Sequence, residues 1–367
     1  DECVAVGDAA LYALNHATTA DGSVAVGFDA LKALTSGPGN IAVGYLAATA
    51  LTTGGANTVL GYGAFDAAAH GENYNIAIGR NALGAAKENV AATDPSTYPH
   101  NLDSNIAIGE NALLGGDLGT ADSVKTHQGN IAIGSYALDA TSSNPQLGTI
   151  AIGYEALTAQ TNATGNTAIG YQSMLVNTGE NYNTAVGYNT MTTTSGHGNT
   201  VMGYYAGRQL TLGGHNVAIG YEAAKELNTN TPINNVAIGS GAMGGANVNG
   251  DKNVAIGYRA MYDDALDGAD RNVAIGNTSL YALTTGDSNV AVGSSSGLAL
   301  TTGANNVLIG MEAGHDLIGG SDNTFIGYSA GDKTTDVDSA VIIGSNAGGA
   351  VMTGAGGADG TVLIGAS

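Results

Sequence analysis

The pentapeptide NVAIG stands at Asn253–Gly257 and again at Asn272–Gly276, and close variants of it run from one end of the chain to the other. Aligned on the closing glycine, twenty copies end at Gly7, 27, 44, 61, 79, 109, 134, 153, 170, 187, 203, 220, 239, 257, 276, 293, 310, 327, 344 and 365. Nine of the nineteen intervals are 17 residues, and no segment is left over for a second kind of domain. A chain of 367 residues would otherwise suggest two or three globular domains. An uninterrupted array predicts instead one solenoid over 1–367, in which each repeat is one lap and neighbouring laps cover each other's apolar surface.

The columns of the alignment carry the physics. Three residues before the glycine every copy has Val, Ile or Thr, and one before it every copy has Val, Ile, Leu or Met. Two such positions separated by one residue define a face of a short strand, and that face is expected to point into the core. The residue between them is Ala in fourteen copies, for example Ala255 and Ala274, and is expected on the opposite side as a narrow strip that another surface approaches closely. Asn stands four before the glycine in fifteen copies, among them Asn166, Asn183, Asn199, Asn216, Asn235, Asn253, Asn272, Asn289, Asn306 and Asn323. Stacked lap over lap, these carboxamides would hydrogen-bond as a ladder.

A second piece follows the glycine, as in FDALKALTSG (Phe28–Gly37) and NTSLYALTTG (Asn277–Gly286). Apolar residues four and seven after the glycine (Leu31 and Leu34, Leu280 and Leu283) have helical spacing, which predicts a short helical turn or a second short strand, although Gly207, Gly314 and Gly331 occupy the fourth place elsewhere. The fold class is therefore a parallel β-solenoid, or β-roll, of about twenty rungs of mostly 17 residues. At the usual strand separation of about 4.8 Å, twenty rungs would extend roughly 95 Å. Composition agrees with a thin core: 58 Gly, no Trp and three Phe, yet 43% hydrophobic residues, too many for a disordered chain.

The unbroken NxA[IV]G array resembles the head repeats of trimeric autotransporter adhesins of the YadA type, and is similar to the NTAIGYxAL repeats of bacterial surface proteins and phage tail fibres. The residues that carry the resemblance are Asn40–Gly44, Asn75–Gly79, Asn216–Gly220 and their equivalents along the whole chain, on a repeat longer than that of the adhesin heads. The resemblance implies a parallel β-roll, left-handed in the adhesin heads, assembled as a trimer and used for attachment.

Ten Lys and Arg against 31 Asp and Glu give a net charge of −21, a field that repels phosphate backbones and anionic lipid surfaces. Nucleic acid is thus an unsuitable partner, and no apolar run is long enough to insert in a bilayer as a helix. Cys3 is the only cysteine, so no intrachain disulfide forms.

Several candidate sites stand beside plainer readings. Tyr follows the glycine in nine rungs, with Tyr154, Tyr171, Tyr188, Tyr204 and Tyr221 in five consecutive ones. Such a file offers a stacking surface to sugar rings, while the plainer reading is that the rings stack on one another. Two adjoining insertions, 87–104 and 114–129, would leave the solenoid as one protrusion, with Tyr98, His100, Lys125 and His127 as exposed contact residues, or as tolerated loops without a partner. Asp263, Asp264, Asp267 and Asp270 offer oxygen ligands suited to Ca²⁺, with a solvated face as the simpler reading, and no other cofactor is suggested. His197 and His215 occupy similar places in successive rungs without a converging ligand set. GSSSG at Gly293–Gly297 matches a nucleophile-elbow pattern, but Gly293 is the ordinary rung glycine and nothing completes a triad around Ser295.

The expectation is a non-enzymatic structural fibre in an extracellular, cell-surface or virion appendage, used for adhesion or spacing, partnered by further copies of itself and by a cell-surface glycan or receptor. A head-to-tail filament subunit is a second expectation, because CVAVG begins at residue 3 and TVLIG ends at Gly365, which places core strands at both extremes. A carbohydrate-binding or carbohydrate-cleaving tail spike is a third.

Overall fold

The computed structural model describes residues 2–14, 20–68, 71–85, 87–89, 102–115, 117–120, 127–141, 146–160, 163–177, 179–211, 213–227, 233–245, 250–263, 268–350 and 358–366. The chain divides into two compact units, Asp1–Val186 and Gly187–Ser367. Each unit is a parallel β-solenoid. Every motif contributes a three-residue strand, ten per unit among the described residues, and within each unit each strand pairs in register with the motif strand of the next lap. Val254 lies over Val273, Ala255 over Ala274 and Ile256 over Ile275.

The motif glycine closes the strand at a place where no side chain fits. Gly27 holds φ at +137°, and a Cβ there would lie 2.3 Å from the carbonyl oxygen of Gly44 in the next lap. Its amide bonds to Val6 of the preceding lap at 2.8 Å, so the glycine continues the ladder as it turns the chain.

After the glycine the chain does not form the predicted helical turn; among the described residues there is no helix. Three overlapping four-residue turns replace it, closed by Ala30 N–H to Gly27 O, Lys32 N–H to Asp29 O and Leu34 N–H to Leu31 O at 3.2–3.4 Å. The third residue of the first two turns has positive φ, +54° at Asp29 and +50° at Leu31, as type II geometry requires. The reason lies in the intervening amides. A helix would consume them internally, whereas here Asp29 N–H reaches Asp8 O in the lap before, and Leu31 and Ala33 reach Ala47 and Thr49 in the lap after. Stacking needs backbone groups directed along the pile, and the alternating turn supplies them at the expense of left-handed residues. A second short strand also occurs in some laps: Leu102–Asp103, His127–Gln128 and Gln146–Leu147 form one three-stranded parallel set, and Thr193–Thr194 pairs with Gln209–Leu210.

The core is built the opposite way round from the sequence expectation. The central residue of each strand points inward: Ala25, Ala42, Ala77, Ala255, Ala274 and Ala291 are fully buried. The flanking β-branched and large residues point outward and stay part-exposed, as at Ile41, Leu60, Ile275 and Ile309. The interior is filled from the turn segment, by Leu31 and Leu34, Leu280 and Leu283, and Leu83, Leu113, Leu138 and Leu157 at the fourth place. With leucines on one wall, only Ala fits on the other.

In four laps with a large strand residue the turn residue is glycine, whereas Val59 shares its lap with the equally buried Phe65. Leu308, Phe325 and Ile342 replace Ala in successive laps, and Gly314, Gly331 and Gly348 of the same laps replace the leucine. A Cβ on Gly314 would lie 2.9 Å from Leu308 Cδ2, and one on Gly331 would lie 2.8 Å from Phe325 Cδ2. Val201 with Gly207 repeats the exchange, with 3.0 Å to Val201 Cγ1. These are the laps whose glycines weakened the helical spacing in the sequence; volume compensation explains them.

Candidate functional site

Polar capacity along the solenoid is spent on stacking. Asn272 donates through Nδ2 to Asn253 Oδ1 (3.2 Å) and to Gly286 O (2.9 Å), while its own Oδ1 accepts from the backbone amide and the carboxamide of Asn289 (2.9 and 3.1 Å). The same exchange links Asn289, Asn306 and Asn323, and also Asn40, Asn57, Asn75, Asn105 and Asn130. Asn183, Asn216, Asn235 and Asn253 each donate a backbone amide to the Asn side chain of the lap before, Asn166, Asn199, Asn216 and Asn235 respectively. All these asparagines are buried.

A second ladder, not read from the sequence, runs two residues earlier. Ile233 N–H donates to Asp251 Oδ1, Asp251 N–H to Asp270 Oδ1, and Asp270 N–H to Asp287 Oδ1, at 2.7–2.9 Å. Ser321, Asp338 and Asp359 repeat it, and Asn73 and Asp103 do so in the first unit. The signal in the sequence was Asp or Asn two before the Asn column, hidden because the position also admits Gly, Ser, Ala and Ile. This ladder gives Asp270 a structural task. Its Oδ2 faces Arg271 at 3.8 Å, and the same guanidinium reaches Asp287 at 3.3 Å. Asp263 is described and Asp264 and Asp267 lie outside the described residues; among those described, no three His, Cys, Asp or Glu gather as metal ligands.

The tyrosines that follow the glycine are exposed, and all but Tyr258 and Tyr328 stack on an aromatic ring of a neighbouring lap. Phe28, Tyr45 and Tyr62 form one file at 5.1 and 5.2 Å between ring centroids, and Tyr154 and Tyr171 another at 5.4 Å. In the second unit Tyr188, Tyr204 and Tyr221 stack at 5.3 and 5.4 Å, tilted by no more than 10°. Inside the files, as at Tyr45 and Tyr204, both ring faces are covered by neighbouring rings, so these rings present edges and hydroxyls outward rather than open platforms for a sugar. Glu155 accepts the Tyr154 hydroxyl and its charge lies close by, which raises that phenol above the ordinary tyrosine range; the charge of Glu222 does the same to Tyr221.

The insertion residues are distributed unevenly. Lys87–Asn89 pairs with Asp117–Thr120, so the two insertions leave the solenoid side by side. Tyr98, His100 and Lys125 lie outside the described residues. His127, expected as an exposed contact, is fully buried in the paired segment His127–Gln128. The insertion ends before His127, and the chain has already rejoined the pile there, between Leu102 and Gln146. His197 and His215 meet edge to face at 4.9 Å. Ser295 contacts Thr278 Oγ1 at 3.2 Å, and Ser296 is buried and donates to Leu308 O at 2.8 Å; both hydroxyls serve the stack.

The surface left over is the outward side of the sheet. Across all twenty copies its two columns contain Val, Ile, Leu, Met and Thr and no charged residue, in a chain of net charge −21. No protein-family model, no curated protein and no solved structure matches this chain.

Proposed function

We propose that the chain is a non-enzymatic structural stem of an extracellular, cell-surface or virion appendage, and that it works as a lateral homo-oligomer. The observation that carries this reading is the inversion of the sheet: the large β-branched residues face out while Ala faces in. Evenly spaced apolar columns free of charge are ordinarily covered by another surface. At about 50 Å² for each part-exposed side chain, ten strands offer roughly 1,000 Å², compared with about 800 Å² per partner in a standard-size interface. A second copy is the partner whose rung spacing matches by construction. The resemblance to adhesin-head and tail-fibre repeats points the same way, and among the described residues the consumption of Asn, Asp, Ser and Tyr side chains in stacking leaves no converging set of groups for catalysis.

Ile256→Lys combined with Ile275→Lys tests the lateral contact by analytical ultracentrifugation. The wild-type chain should sediment as an oligomer and the double variant as a monomer with unchanged circular dichroism, whereas Ala274→Lys should unfold its lap. A wild-type chain that stays monomeric at all concentrations overturns the lateral reading. Antibodies to the purified chain should decorate the exterior of source cells or virions, and exclusively internal labelling overturns the location.

A further inference from the structure

One aromatic cluster differs from the regular files. In the second unit Tyr205, the residue after the stacked Tyr204, is turned back against it by its left-handed backbone, φ +54°. The Tyr204 and Tyr205 ring centroids are 4.2 Å apart and tilted by 57°, where the stacked pairs in the tyrosine files lie at 5.2–5.4 Å and within 13° of parallel. The Asn189 and Tyr204 side chains both act on the Tyr205 hydroxyl. The Arg208 guanidinium lies 5.2 Å from the Tyr205 ring centroid. Tyr188 and Tyr221 cover the two faces of Tyr204.

We propose that Tyr204 and Tyr205 are an oxidative coupling site, at which a one-electron oxidant of the peroxidase and hydrogen peroxide class forms an ortho–ortho dityrosine bond within the chain. The coupled product holds its two oxygens side by side across the new carbon–carbon bond. A pair whose ring centroids already lie 4.2 Å apart holds the two rings within reach of each other before reaction. Each phenol loses one electron and its hydroxyl proton to become a phenoxyl radical. The radicals join at ring carbons ortho to oxygen, and the hydrogens on those carbons move to the oxygens, restoring both phenols. One hydrogen peroxide accepts the two electrons and two protons and leaves as two waters.

The surroundings favour this pair over others. The Asn189 and Tyr204 donors and the Arg208 charge lower the Tyr205 phenol below its ordinary value, and a phenol closer to its anion is oxidised more readily. Tyr188 and Tyr221 hold the Tyr204 ring by both faces, so the nearest partner of its radical is Tyr205.

The full chain, dilute, is treated with peroxidase and limiting hydrogen peroxide, digested and mapped by mass spectrometry. The expected result is one internal link at Tyr204–Tyr205, lighter by two hydrogens, with a yield independent of protein concentration. Tyr204→Phe and Tyr205→Phe should each abolish it, and Tyr154→Phe with Tyr171→Phe should leave it intact. Links that lie between chains, links confined to the more exposed Tyr12, Tyr74 and Tyr182, survival of the link in Tyr205→Phe, or no link at all overturn the proposal. Should a variant fail to fold, the wild-type map alone decides.

Discussion

Gly276 holds φ at +141°, and a Cβ there would sit 2.3 Å from the carbonyl oxygen of Gly293 in the next lap. Gly22 also has positive φ, +76°, but a Cβ added to it meets nothing within 4 Å. Gly22→Ala should therefore cost only left-handed strain, about 1–2 kcal/mol. Gly276→Ala adds a backbone collision that one lap cannot relieve without moving its neighbour, and should cost clearly more. Hydrogen exchange should show the loss spreading to the adjoining laps in Gly276→Ala alone. Asp139 is a second local case. Burial raises its carboxyl from 3.8 to about 6, partly offset by its own backbone amide and reinforced by Glu155. A raised acid binds more protons folded than unfolded, so its favourable contribution is complete below pH 3.8 and lost as pH rises through about 6. Asp139→Asn should raise the melting temperature at pH 7.5, with a gain that shrinks towards zero as pH falls to 4; an equal gain at both ends would contradict the assignment.

At the scale of the element, strand and turn segment act as one volume. Ala beside Leu and Phe beside Gly are two solutions of the same cross-section, shown by Ala274 with Leu280 and by Phe325 with Gly331. Phe325→Ala should open a cavity and cost about 3–5 kcal/mol. Adding Gly331→Leu should recover a substantial part, because leucine already occupies the same place with the same left-handed backbone at Leu280, φ +49°, close to the +62° of Gly331. Gly331→Leu alone should be destabilising, and purely additive urea midpoints for the three variants would count against the coupling. The turn segment itself shows why spacing misled: apolar residues at places four and seven match a helix, yet serial turns put the same residues inside while leaving amides free for the laps on either side.

At the scale of the whole molecule, charge and apolar surface oppose each other. A net charge of −21 repels like copies, whereas the outward columns of Val, Ile, Leu and Met favour association. Salt screens the first and leaves the second nearly untouched, with a Debye length near 10 Å at 0.1 M falling to about 3 Å at 1 M. Self-association should therefore strengthen between 0.05 and 0.5 M NaCl, and the Ile256→Lys, Ile275→Lys variant should show no such gain. Weaker association at high salt would mean that ion pairs hold the contact.

The sequence alone determined the repeat, its register and its polar seam, since a glycine recurring most often at 17 residues, with Asn four before it in fifteen of twenty copies, can align in only one way. It did not settle which side of the strand is inside. Val-Ala-Ile is apolar on both faces, so its alternation carries no preference, and a one-residue choice of facing exchanges the whole set. The same ambiguity hid the Asp251, Asp270 and Asp287 ladder, whose backbone amides meet side chains only once laps are stacked. The choice of face fell to the closed rung: leucines from the turn segment fill a narrow interior, and only a methyl group fits opposite them. Tertiary packing thereby placed the large residues outside and the alanines within.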